Sequence, residues 1–260
     1  NDGTRATGDL IVGADGIHSW ARQFINPSAP LPTYTGLIST GGFCHLPQLP
    51  PTTDTQHFIF GKRAFFGYHV LASGEVYWFN NHGYAGTPSG ADLRGIKSGE
   101  WKQRLLEMHR DDLPLINQII GATSEGIGAF PIYDIATQPI WSRGPMVLLG
   151  DAIHAVSPSS GQGASLALED AAVLAACIAS QPDLTAAFIA YDNLRRERVE
   201  RMVAWARSLG GAKLVTNPIQ VWFRDLLMPL FLRQSANPEA LDWIYAYQVP
   251  QPERKIEMRS

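Results

Sequence analysis

At 260 residues the chain has room for one large domain or two small ones, and a chain of this length buries roughly 70–75% of its extended surface. Hydrophobic residues at 45% against charged residues at 17% exclude a disordered chain. The formal net charge is -3 and no Lys/Arg run dominates any stretch, which argues against nucleic acid as the main partner. The two cysteines, Cys44 and Cys177, are far apart in sequence and read as buried apolar side chains, which makes a reducing cytoplasm the expected location. No metal site is expected. No membrane span is expected either, because the apolar stretch Val221–Leu232 carries Arg224, Asp225 and Pro229 and falls short of the ~20 residues a spanning helix needs. That stretch is expected to dock on the domain. Asn1 is not a methionine, and Asn1-Asp2-Gly3 is a turn signal before a strand-like run, so the chain reads as a fragment or processed product.

In chain order, Leu10-Ile11-Val12 reads as a buried strand entering the tight turn Gly13-Ala14-Asp15-Gly16, with a short helix over Ser19–Phe24. A strand is expected around Leu37–Cys44. Three aromatic-rich strands, His57–Phe60, Ala64–Val70 and Glu75–Asn80, form an antiparallel sheet, with Gly61-Lys62 and Ser73-Gly74 as turns. Gly83–Gly99 reads as a polar loop. A helix begins at Glu100 with Trp101, Leu105 and Met108 on one face, and a second follows Pro114 with Ile116, Ile119 and Ile120. Met146–Leu149 is another apolar strand, again ending at a Gly-Asp pair. The helix over Ser165–Ser180 sets Leu168, Ala171, Ala172, Ala175 and Ile178 at helical spacing. A further helix runs over Leu184–Leu209 and stops at Gly210-Gly211.

Two segments carry chemistry. Asp151 lies just past the carboxyl end of an apolar strand, where open α/β sheets bind ligands. Ten residues later Gly161-Gln162-Gly163 opens a helix, and glycine there lets a flat ligand approach the backbone. Free N–H groups and the helix dipole favour negative charge, which suits the N1 and C2-carbonyl region of a reduced flavin. Asp151 is a natural acceptor for ribityl hydroxyls.

The run Gly13-Ala14-Asp15-Gly16-Ile17-His18-Ser19-Trp20-Ala21-Arg22 resembles the DG motif of the single-component FAD-dependent aromatic-ring hydroxylases, the group of p-hydroxybenzoate and salicylate hydroxylases. Gly150-Asp151-Ala152-Ile153-His154-Ala155-Val156-Ser157-Pro158, continuing through Gly161-Gln162-Gly163 to Glu169-Asp170-Ala171, resembles the GD motif of the same family. The resemblance covers about residues 1–210. It implies that Gly150 and Asp151 serve the FAD ribityl chain, and that Gly161, Gln162, Gly163, Ala164 and Ser165 lie along the flavin ring. It further implies that Pro158 sits beside the flavin, and that Asp15 belongs to the pyrophosphate region and to NAD(P)H use. No catalytic base is assigned.

The implied fold class is mixed α/β: a partial, Rossmann-like FAD-binding domain interrupted by an antiparallel-sheet substrate domain and followed by C-terminal helices. The expected boundaries are 1–26 and 131–180 for the FAD-binding parts, 27–130 for the β-rich substrate domain, and 181–260 for the C-terminal helices and tail. One departure stands out. No Gly-x-Gly-x-x-Gly occurs in these 260 residues, so the ADP half of FAD is expected to be held by a missing N-terminal segment or by a partner chain.

The implied activity is hydroxylation of an aromatic or polycyclic substrate by an FAD-dependent monooxygenase using O2 and NADH or NADPH. The alternatives are another flavin-dependent oxidoreductase of the same fold, or a non-catalytic binding protein. Asp15 has the competing role of closing an Asx turn, and Arg22 that of a surface helix residue. His154 reads as structural, bonded to backbone. Arg195, Arg196, Arg198 and Arg201, interleaved with Asp192, Glu197 and Glu200, read as a solvated helix face. Of Phe58, Phe60, Phe65, Phe66, Tyr68, Tyr77, Trp78 and Phe79, alternation sends half to the core and leaves the rest to line an apolar pocket.

Overall fold

The structure, a computed structural model, describes residues 3–211, 213, 215–235 and 238–249. Asn1 and Asp2 of the expected opening turn and the tail from 250 lie outside the described residues. The chain forms two compact units. The first comprises residues 1–33, 133–209 and 238–260, and the second comprises 34–132 and 210–237. The C-terminal stretch, set apart as one block in the sequence reading, is thus shared between them.

The first unit is built on a small sheet in the order β1-β8-β7, with β1 (Ile11–Gly13), β7 (Ser142–Arg143) and β8 (Met146–Leu148). β1 and β8 pair in parallel, Ile11 opposite Met146 and Gly13 opposite Leu148. The Gly13-Ala14-Asp15-Gly16 turn after β1 and the Gly150-Asp151 turn after β8 are therefore delivered to the same end of the sheet. Met146, Val147 and Leu148 are buried, as a parallel strand covered by helices requires. The covering helices are α6 (Gly163–Ser180) and α7 (Leu184–Gly211), which supply Val173, Leu174, Cys177, Phe188 and Tyr191 to the same core. α1 (Trp20–Ile25) is capped by the Ser19 hydroxyl, which accepts from the Arg22 amide. α5 (Asp151–His154) and a 3-10 turn (Pro158–Ser160) fill the stretch between β8 and α6, and α9 (Pro238–Tyr245) completes the unit.

The second unit is an antiparallel sheet in the order β3-β4-β5-β2-β6. Its strands are β2 (Thr33–His45), β3 (His57–Phe60), β4 (Phe65–Val70), β5 (Glu75–Gly83) and β6 (Gly128–Asp134). Strand alternation splits the aromatics as expected. Phe66, Trp78, Val76 and Ile38 join a core with Trp101 and Leu105 of α3 (Ser98–Met108) and Ile116, Ile119 and Ile120 of α4 (Pro114–Ala122). The opposite face carries Phe58, Phe65 and Phe79 in mutual ring contact.

Several expectations need correction. The stretch read as a polar loop contains α2 (Gly90–Gly95), started by a capping box in which Ser89 and Asp92 bond each other's backbone amides. The buried face of α6 is Leu166, Asp170, Val173, Leu174 and Cys177, while Leu168 is 73% exposed and Ala171, Ala172 and Ala175 point outward. Helical spacing fixes which residues share a face, but alanine-rich helices offer two such faces. Arg195 is fully buried rather than solvated. In α8 (Pro218–Ser235), Val221 is buried, but Ile219, Trp222, Phe223, Leu226, Leu227 and Leu230 are all more than half exposed. Docking thus engages one edge of that helix, where Arg224 donates to the Phe60 and Gly61 carbonyls.

Candidate flavin-binding site

The site is the helix start of α6 together with the turn after β8, both in the first unit. Gly161 has φ +65°, a left-handed conformation in which glycine is free of the usual Cβ penalty. It turns the chain so that Gln162 and Gly163 enter α6. Gln162, at the N-cap, makes no side-chain cap, and the first turn holds no acidic residue. Gly161, Ala164 and Ser165 are exposed, and Gln162 and Gly163 are half-buried. An 18-residue helix therefore presents an open N-terminus, with unsatisfied amides and the positive end of its dipole.

Asp151 opens α5 and is exposed. Among the described residues its carboxylate makes no hydrogen bond or ion pair. A Cβ placed on Gly163 would lie 3.9 Å from its Oδ1, so the carboxylate borders the helix start. Pro158 is the exposed first residue of the 3-10 turn that leads to Gly161. Gly150 (φ +61°, ψ -141°) adopts a backbone conformation essentially reserved for glycine.

That strained turn is anchored from below. The Gly150 amide donates to Asp170 Oδ2 at 2.9 Å, and His154 Nε2 bonds the same oxygen. Asp170 Oδ1 accepts from Arg195 Nε at 2.8 Å. Arg195 also pairs with Glu169 at 2.7 Å, and Glu169 with Arg198 at 2.7 Å. Asp170, His154 and Arg195 are all buried. Burial pushes the Asp170 carboxyl up, but the bond from His154 and the Arg195 guanidinium outweigh it and hold the group below the usual carboxylate range. His154 is thus structural, as expected, but through a side chain rather than backbone.

The DG motif has a comparable internal economy. Asp15 Oδ2 accepts from the Trp20 and Ala21 amides at 2.8 and 3.0 Å, and its Oδ1 accepts from the Ser19 hydroxyl. Slight burial raises its pKa, and these hydrogen bonds more than reverse the effect. Arg22, left open in the sequence, is buried; it donates to Ala152 O at 2.9 Å and to Ile17 O. It ties the DG turn to α5 of the GD segment. Asp15 and Asp151 therefore differ in kind: the first is occupied by its own helix, and the second is free among the described residues.

A family model described as "FAD binding domain" matches residues 1–206. The chain belongs to that family. It is 34% identical over 227 residues to aurachin C monooxygenase/isomerase of Stigmatella aurantiaca, an alignment covering 87% of this chain and 57% of that relative. It is 30% identical to 6-hydroxynicotinate 3-monooxygenase of Bordetella bronchiseptica, covering 95% and 59%. Among solved structures, that of Klebsiella pneumoniae HpxO complexed with FAD and uric acid aligns with a TM-score of 0.73 at 27% identity, over 86% of this chain and 57% of that one. A salicylate hydroxylase substrate complex has the same fold, with a TM-score of 0.72 at 16% identity. The chain thus spans somewhat under three fifths of the length of the curated relatives described here.

Proposed function

We propose that this chain is the flavin- and substrate-binding portion of an FAD-dependent monooxygenase that hydroxylates an aromatic or polycyclic compound with O2 and NADH or NADPH. One observation carries the reading. An open helix N-terminus and a free carboxylate, Asp151, adjoin at the carboxyl end of a parallel strand. That donor set fits a flavin: backbone amides from Gly163 onward for its electron-rich edge, and Asp151 for the ribityl hydroxyls. Bound FAD would supply electron transfer from the nicotinamide and activation of O2. The chain's own contribution is to bind and orient. Gly161 and Gly163 let the ring approach, and Asp170 with Arg195 keeps the Gly150-Asp151 turn in its strained form. The relatives named as monooxygenases support the reaction class.

For the ADP half of the cofactor, we propose that a Gly-x-Gly-x-x-Gly unit outside these 260 residues, or on a partner chain, packs beside β1. Ile11 and Val12 of this parallel strand are 52% and 41% exposed, and Trp20 and Phe24 stack on the outer side of α1 at 66% and 58%. Parallel strands are ordinarily covered, so the exposed row supports a further element there. Cys44 and Cys177 are buried free thiols, which supports a reducing, cytoplasmic setting.

The test is substrate-stimulated NAD(P)H oxidation by the full-length enzyme, with 18O2 as the oxygen source. Label in the product supports hydroxylation. Turnover that leaves the product unlabelled points to a dehydrogenase or reductase on the same fold.

A further inference from the structure

On the sheet face of the second unit that points away from α3 and α4, polar and apolar rows lie side by side. Register places Ser39, Asn81 and Phe65 directly across from one another on β2, β5 and β4. Two residues along, the same face carries Gly41, Phe79 and Gly67; two further, Phe43 and Tyr77. Phe43, Phe58 and Tyr77 are 60%, 55% and 40% exposed and Phe79 is half-buried, so these rings form an open aromatic floor that ends at the buried Phe65.

One end of that floor holds a cation. Lys213, from the segment after α7, is 92% buried by its 8% residual exposure. Its Nζ donates to Asn81 Oδ1 at 2.9 Å and stands 4.1 Å from the centroid of the Phe65 ring. Asn81 is turned toward it by donating its own amide to the Ser39 hydroxyl at 3.0 Å and to the Asn80 carbonyl at 3.2 Å. An ammonium has three donors, and Asn81 is the single acceptor it has among the described residues. No carboxylate among them pairs with it. A buried charge in this state is costly unless something completes its coordination; the buried Arg195, by contrast, is paired with Glu169 and Asp170. Burial accordingly lowers the Lys213 pKa to about 8.

We propose that Lys213, positioned by Asn81, binds the acidic group of a planar aromatic ligand whose ring system lies on the Phe58, Phe79 and Tyr77 floor beside the buried Phe65. A carboxylate, or an ionised enol or phenol, would supply the missing acceptors, and its charge would be neutralised where water is scarce. That this ligand is the enzyme's substrate rests on the function proposed above. Lys213 is then a residue that selects acidic over neutral substrates, and it lies beyond the stretch matched by the family model.

The experiment compares 2-naphthoate with the neutral 2-naphthamide by isothermal titration of this chain, alongside Lys213→Met and Lys213→Arg. Wild type is expected to bind naphthoate about tenfold or more tighter than the amide, as a charge-assisted contact provides. Lys213→Met should abolish the preference while keeping affinity for the amide, and Lys213→Arg should retain it. Equal affinity for the two probes, or no binding of either, overturns the proposal from wild type alone, whatever the folding of the variants. A preference that survives in folded Lys213→Met overturns it as well. An FAD titration on the same samples separates the two readings. FAD binding without acid preference sinks Lys213 alone, and acid preference without FAD binding counts only against the claim that Asp151 and the start of α6 hold flavin without the Gly-x-Gly-x-x-Gly unit proposed above.

Discussion

Asp151 and Asp170 sit 19 residues apart on one motif and do opposite work. Asp151 is exposed and has no partner among the described residues, so its loss should leave stability within about 0.5 kcal/mol of wild type. Asp170 is buried and receives the Gly150 amide, His154 and Arg195. Asp170→Asn removes the charge facing a buried guanidinium, and the expected cost is about 3–5 kcal/mol, since half of a buried pair is left behind. Urea denaturation reads this directly; a loss under about 1 kcal/mol would show that the network is not holding the turn. The free aspartate was legible because the Gly-Asp turn, the glycines and the helix stand in a recognisable order. Its anchors were obscured. Arg195 sits among so many charges that the helix face reads as solvated. A signal was nonetheless present. Arg195 falls on the stripe Phe188, Tyr191, Val199, Met202 and Ala206, and Asp170 on Leu166, Val173 and Cys177. A lone charge on an apolar stripe marks a buried pair more faithfully than the local charge density does.

At the scale of elements, the aromatic sheet was legible strand by strand, because alternation and turn residues agree. Which face was covered was not, since that depends on α3 and α4 packing against Phe66 and Trp78. α2 was missed although Ser89 and Asp92 stand at capping-box spacing, because Gly90 and Gly95 bracket only six residues. The covered face hides a polar chain: His82 Nδ1 meets Asn80, Asn80 meets His109, and His109 meets Asp112, each at 2.8 Å. Burial first, then the His109 and Arg104 charges, push His82 down to about 4 from an ordinary 6.5. The folded state thus binds its proton less readily than the unfolded chain. Stability from this group is complete above 6.5 and is lost as pH falls toward 4, on the order of 3 kcal/mol in all. His109, also lowered by burial, adds a loss of the same sign. Urea midpoints between pH 7 and 4 should fall steeply in wild type and less so in His82→Gln. An unchanged slope in the variant would show that His82 is not the group responsible.

For the molecule as a whole, the chain leaves the first unit after residue 33, builds the second, and returns at 133 with β8 beside β1. That return was readable from the order of the motifs: two apolar strands, one ending at Gly13-Ala14-Asp15-Gly16 and one at Gly150-Asp151, separated by a β-rich insert. The division of the C-terminal residues between the units was not, because neither the charged α7 nor the apolar α8 names in its sequence the unit it packs on. The central claim is that the first unit binds flavin through Asp151 and the start of α6. The most direct measurement is an FAD titration of this chain followed by flavin fluorescence, with Asp151→Ala alongside. The account predicts saturable binding in wild type and at least tenfold weaker binding in a variant that unfolds at the same urea concentration. Equal FAD affinity in the two proteins would contradict it.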